Sequence, residues 1–523
     1  MRKFVGSVCV LALLAPGPAS FGVSPADARS IRPPMDLCRT PAPLPQLGKE
    51  VDRGQQSRNR IGAARPELAE ERAMPAMAPP APPPPPPPPS AAVGDDGGSI
   101  VVTGSKVSRR SVESAAPVAV VSGEVAEASA DASRAMPGYP TLPPRPYPRP
   151  QPEPQSGLLT AGEHDDLLNP ELYSRYVRNS NLGQKARDLP LLDTERLLTI
   201  EAKDSRGQPM PFVPVQVRCA NGKTITLKTV ADGKAVFFPG FDRLGRSVQV
   251  RAGDEDWKRI DLSSRKGSQT IGFTMDERAD AVRKLDLALV VDVTGSMSDE
   301  LRYLQSELTA IVDALNARHR DLDIRVGFTF YRDKGDEFVT RTFPFGSDMA
   351  KAKALIAQQS ANGGGDYPEA MQDALIRAAN QDWREDAVKS LLLVADAPPH
   401  DGDVEMTWRA AEHLRAERVH IVPVGASGVA DMAEYLMRAM AASTQSRYTF
   451  LTDDSGIGNP HAKPAIDCYL VTRLDTLLRR VIDSQISGRR IEPEKDEIIR
   501  SVGKYDAGKC ILPADFQTKQ RSK

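Results

Sequence analysis

Between Arg196 and about Asp276, apolar and polar residues alternate. Val213, Val215, Val217 and Cys219 take every second place, as do Ala235 with Phe237, Val248 with Val250, and Ile260 with Leu262. A period of two buries one face of a strand and wets the other. Glycine turns separate the runs at Arg206-Gly207, Asn221-Gly222, Asp232-Gly233 and Lys266-Gly267. The pattern predicts about six or seven short strands in a small all-β, sandwich-like domain over 196–276.

Beyond Leu285 the period changes. Leu285 to Val291 is nearly continuously apolar, as a central parallel strand requires. Helical spacing follows from Ser298 to Arg318, where Leu301, Leu304, Leu308, Ile311, Val312 and Leu315 share one stripe. Further strands are predicted at Ile324–Tyr331, Val339–Phe343, Leu391–Ala395, Val419–Val424 and Tyr448–Leu451. Helices are predicted near Ala350–Ser360, Pro368–Asn380, Met406–Glu417, Ala430–Ala442 and Val471–Ile486. Strands alternating with helices give a doubly wound α/β sheet over 283–489. Pro423 argues that its strand lies at an edge or a strand end.

Composition divides the chain further. Of its 45 prolines, 30 fall before residue 158, together with only four of the 28 aromatics. Such a stretch cannot bury enough apolar surface to offset its ordering entropy. Residues 29–157 therefore read as a disordered, Pro-rich linker, with the proline run Pro82–Pro89 as a semi-rigid spacer. Within it, Ile100–Arg110 resembles a segment near the N-terminus of TonB-dependent receptor plugs, as either a docking peptide or an inert interruption. Residues 158–195 connect it to the β-rich domain, and 490–523 form a charged tail. At the start, Arg2 and Lys3 precede an apolar run from Phe4 to Ala15 and then small residues. This predicts a signal peptide over 1–28 and an exported protein, periplasmic or extracellular, with envelope association through the N-terminal region. After cleavage four cysteines remain, and Cys468 with Cys510 is the expected disulfide. A net charge of −1 argues against nucleic acid as a partner.

The candidate chemistry lies at strand ends. The first α/β strand runs into Asp292-Val-Thr-Gly-Ser-Met297, and a later one into Asp396-Ala-Pro-Pro-His400. Ligands gather at the carboxyl ends of strands in open α/β sheets. Asp366 follows three glycines and opens a helix. Asp292, Thr294, Ser296, Asp366 and Asp396 thus make an all-oxygen set suited to Mg²⁺, Mn²⁺ or Ca²⁺. Asp366-Tyr-Pro-Glu369 also reads as a helix capping box, and the two roles can coexist. Asp333 and Asp336 are expected in a hairpin turn, His400 and Asp453-Asp454 in loops.

These residues resemble the von Willebrand factor type A domain. Asp-x-Thr-x-Ser after an apolar strand, a second loop with one oxygen ligand and a third-loop Asp match its metal-ion-dependent adhesion site. The resemblance spans about Leu285 to Arg489. It implies a Rossmann-like fold, a bound divalent cation and a protein partner that offers an acidic residue to the metal. Two positions depart from the family pattern: Thr294 replaces the usual Ser, and Asp366 stands where many members carry Thr. A third carboxylate would leave the site near −1, which weakens capture of an acidic partner. In the β-rich domain, Thr229–Pro239 is similar to strands of transthyretin-like bacterial surface modules, which implies a spacer or adhesive role.

The reading is an exported envelope protein that presents a metal-binding domain to a partner, and not an enzyme. One alternative is a structural assembly protein whose metal only fixes loops. The other is a metal-dependent hydrolase using the Asp cluster with His400; against it, no phosphate-binding glycine loop or nucleophile elbow is present.

Overall fold

The computed structural model describes residues 37–51, 152–180, 182, 189–263 and 267–512. The expected signal peptide, most of the Pro-rich segment, Ile100–Arg110 and the last eleven residues lie outside them.

In chain order, β1 (Thr160–His164) and α1 (Pro170–Asn179) come first. The predicted β-rich region follows as β2 (Leu198–Asp204), β3 (Pro214–Cys219), β4 (Thr224–Lys228), β5 (Lys234–Phe237), β6 (Ser247–Ala252), β7 (Lys258–Asp261) and β8 (Gln269–Met275). These form two sheets, β5-β2-β8 and β4-β3-β6-β7. The alternating residues face one another across a core that includes Val215, Val217, Val250, Phe237 and Phe273.

The α/β region contributes β9 (Lys284–Asp292), α2 (Leu301–Arg318), β10 (Asp323–Tyr331), β11 (Thr340–Gly346), α3 (Met349–Ala357) and α4 (Met371–Ala379). It continues through β12 (Val388–Ala395), α5 (Val404–Ala416), β13 (Val419–Gly425), α6 (Asp431–Ser443), β14 (Tyr448–Thr452), β15 (Tyr469–Arg473) and α7 (Leu474–Ser487). The tail adds β16 (Arg500–Val502) and the small hairpin β17 (Tyr505–Asp506) and β18 (Lys509–Cys510). One nine-stranded sheet results, ordered β11-β10-β9-β12-β13-β14-β1-β15-β16. Its middle, β10-β9-β12-β13-β14, is parallel. One face buries α4, α5 and α6; the other buries α2, α3 and α7. This is the doubly wound fold expected from the sequence.

Four features differ from the sequence reading. First, the connecting segment supplies β1, which pairs antiparallel with β14 and β15 and joins them within the sheet. The close fit there needs glycine: a Cβ on Gly162 would run into the rings of Phe450 and Tyr469. Second, Val471 to Arg473 belong to β15 and not to the helix, which begins at Leu474. Third, Pro423 lies inside an interior strand, opposite Leu393 of β12. Pairing with β14 starts only at Val424, so Val419 to Pro423 carry one ladder and have room for a residue without an N–H.

Fourth, part of the supposed linker is bound. Cys38 forms a disulfide with Cys219, and its N–H donates to the Arg243 carbonyl at 3.0 Å. From there the chain crosses the helices: Arg39 pairs with Glu412 at 2.6 Å, and His413 meets the Ala42 carbonyl at 2.8 Å. Glu50 then accepts hydrogen bonds from the Thr342 N–H and hydroxyl at 3.0 and 2.6 Å, which covers the outer edge of β11. The second disulfide is the expected Cys468–Cys510. Among the described residues, no helix is long and apolar enough to cross a membrane.

Candidate functional site

The parallel strands β9, β10, β12 and β13 end at one edge of the sheet, and their loops build the site. Burial of β9 from Leu285 onward carries Asp292 into the protein, fully buried at the strand's last position. The chain then turns on its own side chains. Asp292 Oδ1 accepts from the Thr294 N–H at 2.9 Å and from the Thr294 hydroxyl at 2.6 Å. Thr294 Oγ1 is 3.1 Å from Ser296 Oγ, and Ser296 opens to solvent. Asp396, one residue past β12, is also buried.

Asp366 behaves differently. It is exposed and has no hydrogen bond or ion pair among the described residues. Three residues on, Glu369 is 3% exposed and takes the inward place. The capping-box reading fails for a related reason: α4 starts only at Met371, and its cap residue, Ala370, offers no side chain. Glu369 instead lies in extended backbone that bridges to Pro399, with its N–H donating to the Pro398 carbonyl at 3.0 Å. The glycines before it permit this path. Gly364 has φ +71, and a Cβ there would lie 2.9 Å from Glu369 Oε1 and 3.4 Å from Thr294 Cβ. Glu369 and Thr294 therefore flank the same spot.

The loop is stitched to its neighbours. Gly295 N–H donates to the Gly363 carbonyl at 3.0 Å. Asp336 Oδ2 accepts from the Gly364 N–H at 2.8 Å and from the Asp333 N–H at 3.0 Å. Asp333 in turn holds His400, with Nε2 2.7 Å from Oδ1. The Asp333–Asp336 turn thus supports the site's third loop. Farther out, Asp453 Oδ1 accepts from the His461 N–H at 2.8 Å, and His461 Nε2 lies 2.7 Å from the buried Glu300.

The electrostatics are unbalanced. Burial, then the Asp396 charge, pushes the Asp292 carboxyl up to about 7, against the hydrogen bonds from Thr294. Burial, then Asp292, Asp333 and Asp396, pushes Glu369 up to about 9. Burial raises Asp396 as well; the Ser296 hydroxyl opposes this, while Glu300 and Asp299 add to it. Asp292 Oδ2, Asp396 Oδ1 and Glu369 Oε2 are buried and have no hydrogen-bond partner. Buried polar atoms are normally paired. Among the described residues, no group of three or more His, Cys, Asp or Glu side chains makes a ready-made cation cage. The donors brought together are Asp292, Thr294 and Ser296, with Asp396 and Glu369 from the facing loops. Hard oxygen donors of this kind suit Mg²⁺, which keeps part of its hydration shell.

Sequence reasoning missed Glu369 and Tyr367. Tyr367 is 45% exposed, and its hydroxyl donates to the Gly428 carbonyl at 2.8 Å and accepts from the Ala430 N–H at 3.0 Å. Pro368 was the available signal: it holds the preceding residue away from helical backbone.

Residues 286–460 match the von Willebrand factor type A domain, so the chain contains such a domain. An alpha-protein kinase of Dictyostelium discoideum is 31% identical over 118 residues, 22% of this chain and 19% of that protein. An ariadne-like RING finger protein of Acanthamoeba polyphaga mimivirus is 35% identical over 119 residues, 22% of this chain and 11% of that protein. The chain thus spans about a fifth or less of these relatives. Among solved structures, the conserved protein BatB from Bacteroides thetaiotaomicron aligns at 16% identity and a TM-score of 0.27, over 39% of this chain and 98% of its own. An aerotolerance-related membrane protein from Bacteroides fragilis aligns at 14% identity and a TM-score of 0.26, over 39% of this chain and 99% of its own.

Proposed function

With a von Willebrand factor type A domain over 286–460 as the premise, we propose that this chain binds a divalent cation, Mg²⁺ or Mn²⁺ before Ca²⁺, and uses that face to hold a protein partner. Asp292, Thr294 and Ser296 would hold the ion, with Asp396 and Glu369 behind them and Asp366 outside. The observation that carries the reading is the set of three buried carboxylates with unpartnered oxygens on three separate loops. Burial disfavours the charged forms of all three carboxyls, and a bound divalent ion would offset this by stabilising them. The cation would neutralise the loops and polarise whatever oxygen completes its shell.

We propose a binding module and not an enzyme: His400 is tied to Asp333 and serves the loop scaffold. The two disulfides support an exported protein in an oxidising compartment. Binding and loop fixing separate experimentally. Capture of a partner from envelope extract, with and without EDTA, is run beside thermal unfolding of the same samples. A binder loses capture on chelation while remaining folded at the assay temperature. Capture unchanged by chelation would leave the cation, if bound, only a structural role.

A further inference from the structure

We infer that the partner docks through a basic segment, and that Glu369 fills the place an acidic partner would otherwise take; this rests on the cation reading above. The loops at the site's edge, 292–300, 332–339, 358–370, 396–403 and 426–431, carry twelve carboxylates against one arginine, one lysine and one histidine, in a chain of net charge −1. None of those three bases is free. Arg332 is buried and bonded to Glu337 and the Ser360 carbonyl, Lys334 pairs with Asp403, and His400 with Asp333. At the centre, Asp292, Asp396 and Glu369 each turn a buried, unpartnered oxygen inward. A divalent cation balances two of these three charges, so the face stays negative when loaded.

An incoming carboxylate would meet like charge, whereas a guanidinium or ammonium would be drawn in. The rim offers a seat for it. Tyr367 presents its ring to solvent while its hydroxyl is fixed to the loop before α6, and exposed Asp366 adjoins it in the chain. An aromatic face next to a carboxylate suits an arginine. This gives exposed Asp366 a role in the partner contact rather than in the metal shell.

The test uses the full chain in Mg²⁺ buffer and labelled peptides of equal length, Arg/Lys-rich, neutral or Asp/Glu-rich, read by fluorescence anisotropy. The basic peptide is expected to bind, to weaken as salt rises, and to weaken roughly tenfold with Asp366→Asn combined with Tyr367→Ala. Glu369→Thr is expected to gain Mg²⁺-dependent binding of the acidic peptide. Mg²⁺-dependent binding of the acidic peptide to wild type would overturn the inference while leaving the cation reading intact. Indifference of basic-peptide binding to the double substitution would overturn it too. Failure of Mg²⁺ to bind at all, read by calorimetry on the same sample, would overturn the cation reading itself and with it the place given to Glu369.

Discussion

Two groups of buried carboxylates share the large sheet, and they are treated in opposite ways. On and beside β1, Glu163 accepts from Arg447 and Arg480 at 2.8 Å each, and Asp166 accepts from Arg438 at 2.7 and 3.1 Å. Burial alone would raise both acids, but the guanidinium charges outweigh it and hold each at about 2. At the upper edge, Asp292, Asp396 and Glu369 are as deeply buried but pair with no basic side chain among the described residues; burial raises all three, and neighbouring carboxylates add to it. The first group is closed within the chain and acts as structure. Among the described residues the second group has no basic partner, which is why we propose that it takes a cation from outside.

The largest expected effect comes from removing the closed group altogether. A fragment of 283–489 lacks β1 and β16, so β14 and β15 lose the strand that joins them. It should show no cooperative thermal transition, unlike the full chain. Cooperative unfolding of the fragment would mean that β1 is an accessory strand.

Within the full chain, Arg438→Met leaves Asp166 and Glu434 buried without their shared partner. A loss of about 3–5 kcal/mol is expected by denaturant titration. A loss below about 1 kcal/mol would show that water replaces the guanidinium.

The acid limb is a milder probe. Glu163 and Asp166 hold lowered folded-state values of about 2. Their contribution is complete above the unfolded carboxylate range near 4 and is lost as pH falls toward 2, at about 2–3 kcal/mol each. Stability should therefore fall between about pH 4.5 and 2, and the slope should flatten in Glu163→Gln. An unchanged slope would place the acid sensitivity elsewhere.

The smallest effect serves as a reference. Arg500 and Asp454 pair at 2.8 Å, with the arginine 46% exposed. Arg500→Ala should cost under about 1 kcal/mol, because solvent screens such pairs. A larger loss would make the exposed and buried pairs alike, and the contrast would lose its meaning.

How much of this was legible follows from how local each signal is. β9 and its Asp-x-Thr-x-Ser turn are readable because an apolar strand and its terminal residues sit together in the chain. Asp396 is readable for the same reason. Glu369 was passed over because a glycine-rich turn with an early proline imitates a helix start, while the real path depends on a bridge to Pro399. β1 was invisible for a stronger reason. Thr160 to His164 has little apolar content, and what makes it a core strand is its pairing with residues about 290–310 positions away. Cys38 likewise gave no sign of its partner, since 181 residues separate it from Cys219.

The most direct test of the unpaired carboxylates is calorimetric titration of Mg²⁺ into the full chain, into Glu369→Gln and into Asp366→Asn. Wild type should bind, Glu369→Gln should bind about tenfold or more weakly, and Asp366→Asn should match wild type. No heat with wild type, or weakening by Asp366→Asn with Glu369→Gln unchanged, would contradict the account.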